Sequence, residues 1–205
     1  MNRHEQKTID RLHGVSMEEF LEKGFQNASL RNIAKAAGVT TGALYGYYDS
    51  KEALFDALVR ECYEHFMSRY KRALETFAQR PAEKQPENMG KDSQACMKEL
   101  LAYMYAHRDA FHLLLCCSAG TRYAAMIDEI AELEVEATHK YCGVLRKLGF
   151  SVPAIDSRLE HILVTGMMNA YFEMIIHDMP MKDALVYLEE LNDFYTAGWM
   201  KIMGQ

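Results

Sequence analysis

The chain has 205 residues, 49% hydrophobic and 25% charged, which is enough apolar material for one large folded domain or two modest ones. Its formal net charge of −6 lends no support to a polyanionic partner. It does not exclude one, because a local basic face acts within about 8 Å at physiological salt.

Apolar residues recur at intervals of three and four almost throughout, and no run alternates with period two. That pattern predicts an all-α chain of nine helices. The first is expected over about His4 to Lys23, stopping at Gly24. The second covers about Leu30 to Ala37 and ends at Gly38, and a short third covers about Thr41 to Tyr47. The fourth is long, about Lys51 to Arg80. Pro81 to Lys91, polar and with two prolines and a glycine, reads as a loop. Helices follow over about Asp92 to Ala106, Asp109 to Ser118, Thr121 to Leu148, Ala154 to His177 and Met181 to Met203. Within the penultimate one, Ile162 to Ile176 is broken by Thr165, Asn169 and Glu173. It falls short of the roughly 20 apolar residues of a bilayer crossing, so no membrane partner is expected. Residues 1–56 are expected to form a small three-helix unit and residues 57–205 a larger bundle, with the fourth helix linking them.

Residues 28 to 58, ASLRNIAKAAGVTTGALYGYYDSKEALFDAL, carry the most information. Ser29 can cap the second helix through its side-chain oxygen. Leu30, Ile33, Ala34 and Ala37 make that helix's buried stripe, and Ala34 is small enough for close packing. Gly38 falls where a helix end often needs a left-handed backbone. Val39 plugs the turn, Thr40 can cap the third helix, and Leu44 and Tyr48 point inward. Asp49 with Glu52 resembles a capping box for the fourth helix. Two short helices joined by a glycine-containing turn form a helix-turn-helix, whose second member enters the DNA major groove. Here that member begins Thr-Thr-Gly-Ala, small and hydroxylated residues that permit close approach to base edges. Tyr45 and Tyr47 supply hydroxyls for phosphates, and Lys51 adds a positive charge at a helix start. Singly, each of these is an ordinary cap or aromatic; the joint spacing carries the reading.

The segment resembles the DNA-binding region of the TetR family. The resemblance rests on Gly24-Phe25, Ser29, Ile33-Ala34, Ala37-Gly38-Val39, Gly42, Leu44-Tyr45, Tyr47-Tyr48 and Lys51-Glu52-Ala53-Leu54, and it covers about residues 12 to 58. It implies that Arg31, Thr40, Thr41, Gly42 and Ala43 meet base edges or nearby phosphates, and that Ser29, Tyr45, Tyr47 and Lys51 hold the backbone. Phosphate contacts set register and base contacts set sequence. His13, Gly14 and Glu19 depart from the apolar residues or alanine usual in the first helix, which is expected to loosen its packing. Gly46 stands where a larger contacting side chain is common.

The same resemblance implies a C-terminal ligand-binding and dimerisation bundle. Its expected partners are a double-stranded inverted-repeat operator, a small-molecule effector, and a second copy of the chain joined through the last two helices. The function implied is transcription regulation, with release of a repressor by its effector the leading form. The last two helices carry broad apolar faces that suit a dimer: Ile155, Leu159, Ile162, Leu163, Gly166, Met167, Ala170, Phe172 and Met174 on one, and Leu185, Leu188, Leu191, Phe194, Tyr195 and Trp199 on the other. Two recognition helices would then stand about 34–36 Å apart, one turn of B-DNA. Candidate effector contacts are Tyr103, His107, Phe111, Arg122, Tyr123, Met126 and Tyr171, with Met104, Cys116, Tyr141 and Met168 in a wider set. Fourteen methionines suit an adaptable cavity.

Other functions have less behind them. No nucleophile elbow, phosphate loop, dinucleotide fingerprint or zinc-protease helix occurs, so no enzyme and no cofactor is expected. Glu136-x-x-His139 is half of a di-metal motif whose other half is missing, and a solvated helix face is the better reading. Cys62, Cys96, Cys116, Cys117 and Cys142 follow no regular spacing and no signal-peptide pattern precedes them, so a reduced, cytoplasmic compartment is expected. Sensing of redox state or metal through these cysteines, and a DNA-binding protein with no effector, are the alternatives.

Overall fold

The computed structural model describes residues 3–204 apart from the His4 side chain. By residue contacts the chain divides into two compact units, Met1–Glu64 with His107–Ala124, and His65–Ala106 with Ala125–Gln205. The segment 107–124, expected in the C-terminal bundle, therefore folds with the N-terminal helices.

The first unit contains α1 (Arg3–Asn27), α2 (Leu30–Ala36), α3 (Thr41–Tyr45) and the start of α4 (Lys51–Ala78). In α1 the buried positions Thr8, Leu12, Ser16 and Phe20 recur every four residues, one stripe of a helix. Gly24 breaks that helix at φ 69°, ψ 165°, a conformation only glycine takes without strain. The break turns Phe25 toward Phe20 and Phe55. Phe20 and Phe25 each meet the Phe55 ring edge-on, at 5.1 and 5.4 Å between centroids. Such pairs add about 0.5–1.5 kcal/mol beyond the area they bury.

α7 (Arg108–His112) winds into a π-helical turn, Leu113–Cys117, that packs on α1. After it, Tyr123 packs edge-on against Tyr63 at 5.1 Å. Its hydroxyl donates to Asp56 at 2.5 Å, and Arg122 reaches the same carboxylate at 3.0 Å. Burial opposes ionisation of Asp56, but hydrogen bonds from Arg60 and Tyr123 and the nearby arginine charges hold it below its usual range.

The second unit holds the rest of α4, then α5 (Gln85–Asn88), α6 (Lys91–Ala106), α8 (Met126–Lys147), α9 (Ser157–Ile176) and α10 (Met181–Ile202). α8 packs on α9, and α10 packs on both α9 and α6. The expected loop at Pro81 to Lys91 is instead a 3-10 turn, Ala82–Lys84, followed by α5. Pro86 lies in the first turn of α5, where its missing N–H costs nothing. The buried Gln85 amide donates to the carbonyls of Ala78 and Arg80 and so closes the end of α4.

Among the described residues, six of the nine large hydrophobic side chains left exposed lie on the last two helices: Leu159 and Ile162 on α9, and Val186, Tyr187, Phe194 and Met200 on α10. Phe194 is 71% exposed and Ile162 65%. Other members of the expected dimer faces do not reach the surface. Met167, Phe172, Met174 and Leu188 are buried within the unit. Among the described residues no single helix is long and apolar enough to cross a membrane.

Candidate functional site

Two features stand out, one in each unit. In the first, α2 and α3 are joined by a tight turn. The Ser29 hydroxyl accepts from the Asn32 N–H at 3.4 Å and the Thr40 hydroxyl from the Ala43 N–H at 3.1 Å, so both expected caps are in place. At the end of α2, Gly38 takes φ 66°. The Val39 N–H reaches back to the Ala34 carbonyl at 3.0 Å and the Gly38 N–H to Lys35 at 3.1 Å, the bonding of a Schellman closure. Ile33, Ala34, Ala37 and Leu44 are buried between the two helices.

With Leu44 facing in, the other side of α3 faces out. Gly42, Ala43, Tyr45, Gly46 and Tyr47 are exposed, as are Arg31 and Thr40, while Thr41 and Ser29 are half-buried. Tyr45 is 49% exposed and Tyr47 38%. A β-carbon on Gly42 would meet nothing closer than the Thr40 hydroxyl at 4.0 Å, so the space in front of this helix is open.

Three residues have duties that the sequence did not reveal. The Lys51 ammonium donates to the carbonyls of Gln26 and Ala28 at 3.0 and 3.2 Å and sits 4.7 Å from the Phe25 ring centroid. It therefore closes the end of α1 besides bringing charge to this face. Glu19 accepts from the Ser29 N–H at 3.0 Å and from Lys23 at 2.8 Å, which locks α1 to the start of α2. His13 bonds the Tyr48 hydroxyl at 2.5 Å, and Tyr48 is half-buried rather than core. The unusual polar residues of α1 thus tie the reading head together instead of loosening it. The cap of α4 also differs from the expected Asp49: Ser50 Oγ accepts from the Ala53 N–H at 3.1 Å.

In the second unit a cavity of about 150 Å³ lies among α4, α6, α8, α9 and α10. Tyr70, Glu134, Tyr141, Tyr171, Tyr195 and Trp199 line it, with Phe77, Met167 and Asn192. The Tyr70 hydroxyl donates to Glu134 Oε1. Burial raises the Glu134 carboxyl above its usual range, against the lowering effect of that hydrogen bond. Burial, with the neighbouring Glu134 charge, drives the Tyr70 phenol well upward. Asp92 also lines the cavity, but the Arg80 guanidinium engages both its oxygens, at 2.6 and 2.7 Å.

Of the seven residues expected to touch an effector, this cavity is lined by Tyr171 alone, and of the wider set Tyr141 joins it. Tyr103 stacks on His65 at 3.8 Å. Phe111 is core, and Arg122 and Tyr123 are committed to Asp56, all three within the first unit. His107 starts α7 in that unit, and Met126 is buried where α8 begins. Tyr70, Glu134, Asn192 and Trp199, which also line the cavity, were not among the expected residues. The legible signal was Glu134 itself, which falls on the α8 stripe of Ile130, Ala131, Thr138 and Tyr141, where a solvated charge does not belong.

Cys96 lines the cavity, and burial pushes its thiol up to about 11. Burial also raises Cys117 and Cys142. Thiols shifted this way hold little thiolate, the reactive form, at neutral pH. Glu136 pairs with Lys140 and His139 contacts the fully buried Glu160, each at 2.6 Å, so His139 has a carboxyl partner rather than a plain solvated face. Among the described residues, no three His, Cys, Asp or Glu side chains stand together to hold a metal ion.

Comparison with known proteins agrees with this geometry. Residues 14–58 match the bacterial regulatory proteins of the tetR family. The HTH-type transcriptional repressor KstR2 of Rhodococcus jostii is 27% identical over 130 residues, 62% of this chain and 57% of that protein. The HTH-type transcriptional regulator UidR of Escherichia coli is 33% identical over 75 residues, 37% of this chain and 38% of that one. The aligned part is thus about half of these relatives' length or less. In fold, the chain is similar to FadR of Bacillus subtilis, solved with stearoyl-CoA (TM-score 0.58, 15% identity, 92% of this chain and 97% of that one). It is also similar to a TetR family regulator from Streptomyces coelicolor (TM-score 0.55, 18% identity, 91% and 90%). The chain thus carries, over residues 14–58, the DNA-binding region of the bacterial regulatory proteins of the tetR family, within an all-helical fold similar to that of solved regulators.

Proposed function

We propose that this protein is a homodimeric repressor that holds an inverted-repeat operator with two copies of α3 and lets go when a small molecule fills the cavity of its second unit. The observation that carries the reading is the outward face of α3: one residue, Leu44, anchors the helix, and Gly42, Ala43, Tyr45 and Tyr47 are left exposed on a rigidly capped turn. Arg31 and the half-buried Thr41 stand with them as the reading set, and Ser29, Tyr45, Tyr47 and Lys51 as the phosphate-holding set. The exposed apolar residues of α9 and α10 support pairing of two copies through those helices.

The effector part of the proposal is supported by the cavity, and by the stearoyl-CoA held in FadR, a protein of similar fold. α4 suits the task of linking the two events. Its first residue, Lys51, belongs to the helix-turn-helix region, and Tyr70, Ala73, Leu74 and Phe77 further along it line the cavity. A ligand that binds the non-operator arrangement more tightly shifts the equilibrium by that difference in affinity, and by no other route.

Selection from a random duplex pool tests the reading. The purified protein is expected to recover one inverted repeat with half-sites about one helical turn apart. A crosslink between the two reading heads of the dimer is expected to leave operator binding intact and abolish its release by ligand. Recovery of no motif, or release that survives the crosslink, overturns the corresponding half of the proposal.

A further inference from the structure

We infer that the cavity of the second unit selects a compact organic cation, about one aromatic ring in size, with its positive charge against Glu134 and its apolar body among Tyr70, Phe77, Tyr141, Tyr171 and Trp199. The inference rests on the effector reading above and names the chemistry of its ligand.

The lining decides the sign of the charge. Among the described residues, no lysine, arginine or histidine lines the cavity. Two carboxyl groups do, and one of them, Asp92, is already engaged at both oxygens by Arg80. Glu134 is left, held in place by the Tyr70 hydroxyl. A carboxylate, phosphate or thioester-linked nucleotide ligand would find no cation here and would face Glu134 instead. Aromatic rings offer the negative faces of their π systems, which attract a cation and gain strength where water is excluded. The protein envelope around Glu134 disfavours its ionised form, and a cation bound beside it removes that penalty.

The volume limits the size. About 150 Å³ is on the scale of a cavity that takes a benzene ring, which sets the size of the group it can enclose.

Trp199 is the chain's single tryptophan and lines the cavity, so its fluorescence reports occupancy directly. The test compares phenyltrimethylammonium with tert-butylbenzene, which has nearly the same shape and no charge, and with benzoate. Phenyltrimethylammonium is expected to quench Trp199 with a Kd at least about tenfold below that of tert-butylbenzene, and benzoate is expected not to bind. In Glu134→Gln the cation should lose most of that advantage and keep only what the ring faces supply. Equal binding of the two probes to the parent protein, tighter binding of benzoate, a preference undiminished in Glu134→Gln, or no quenching by any probe overturns the inference. If tert-butylbenzene alone binds and also releases operator DNA, the charge assignment fails and the effector reading stands.

Discussion

Lys51 makes folding contacts at a position proposed to hold a phosphate. Its ammonium holds the carbonyls of Gln26 in the last turn of α1 and of Ala28 just past it, so Lys51→Ala is expected to lower stability by about 1 kcal/mol, read as a shifted urea midpoint. It should also weaken DNA binding on every sequence and flatten the salt dependence by about one charge. Tyr47→Phe, at an exposed position, should weaken DNA binding without moving the urea midpoint. Glu134 gives a second residue-scale prediction. Its folded pKa lies above the unfolded value because burial disfavours the anion. The folded state therefore holds the proton more tightly, and stability falls as pH rises from the unfolded value through the folded one. Below that window the penalty is absent. Glu134→Gln is expected to be more stable than the parent protein at neutral pH and to lose that advantage below about pH 4, in thermal melts of the unliganded protein.

At the scale of elements, what could be read from the sequence followed from local chemistry. The caps at Ser29 and Thr40, the break at Gly24 and the closure at Gly38 depend on neighbours a few residues away, and the structure has them where the sequence put them. Gly38→Ala is expected to cost about 1 kcal/mol, because the alanine would be forced to φ 66°, and to loosen the α2–α3 turn in hydrogen exchange. The misread elements depend on contacts between residues far apart. Pro81 to Lys91 looked like a loop, since nothing local announces that Gln85 will fold back to close α4. Residues 107–124 looked like bundle material by their apolar spacing. Periodicity shows that Phe111 and Tyr123 are buried, but not which helices bury them. For the same reason Met126 and Phe111 could not be told from cavity-lining residues. An apolar stripe reads alike whether it meets a side chain or a space, and only the misplaced charge of Glu134 marked the difference.

At the scale of the whole molecule, the proposed grip on an inverted repeat needs two copies of the chain. Phe194→Asp places a charge on a residue 71% exposed, so the folded monomer should tolerate it. Sedimentation should then show a monomer with unchanged helical circular dichroism, and operator affinity should fall by at least about a hundredfold as the second half-site is lost. A dimer that persists would move the pairing surface elsewhere. The central claim is that α3 reads base edges through Thr41 and its neighbours. Its most direct test is to select duplexes from one random pool with the parent protein and with Thr41→Arg, and to compare the recovered motifs. The expected result is an inverted repeat in both, changed at the same base pairs in each half-site and nowhere else. Identical motifs from the two proteins, or no motif from the parent at low salt, would contradict it.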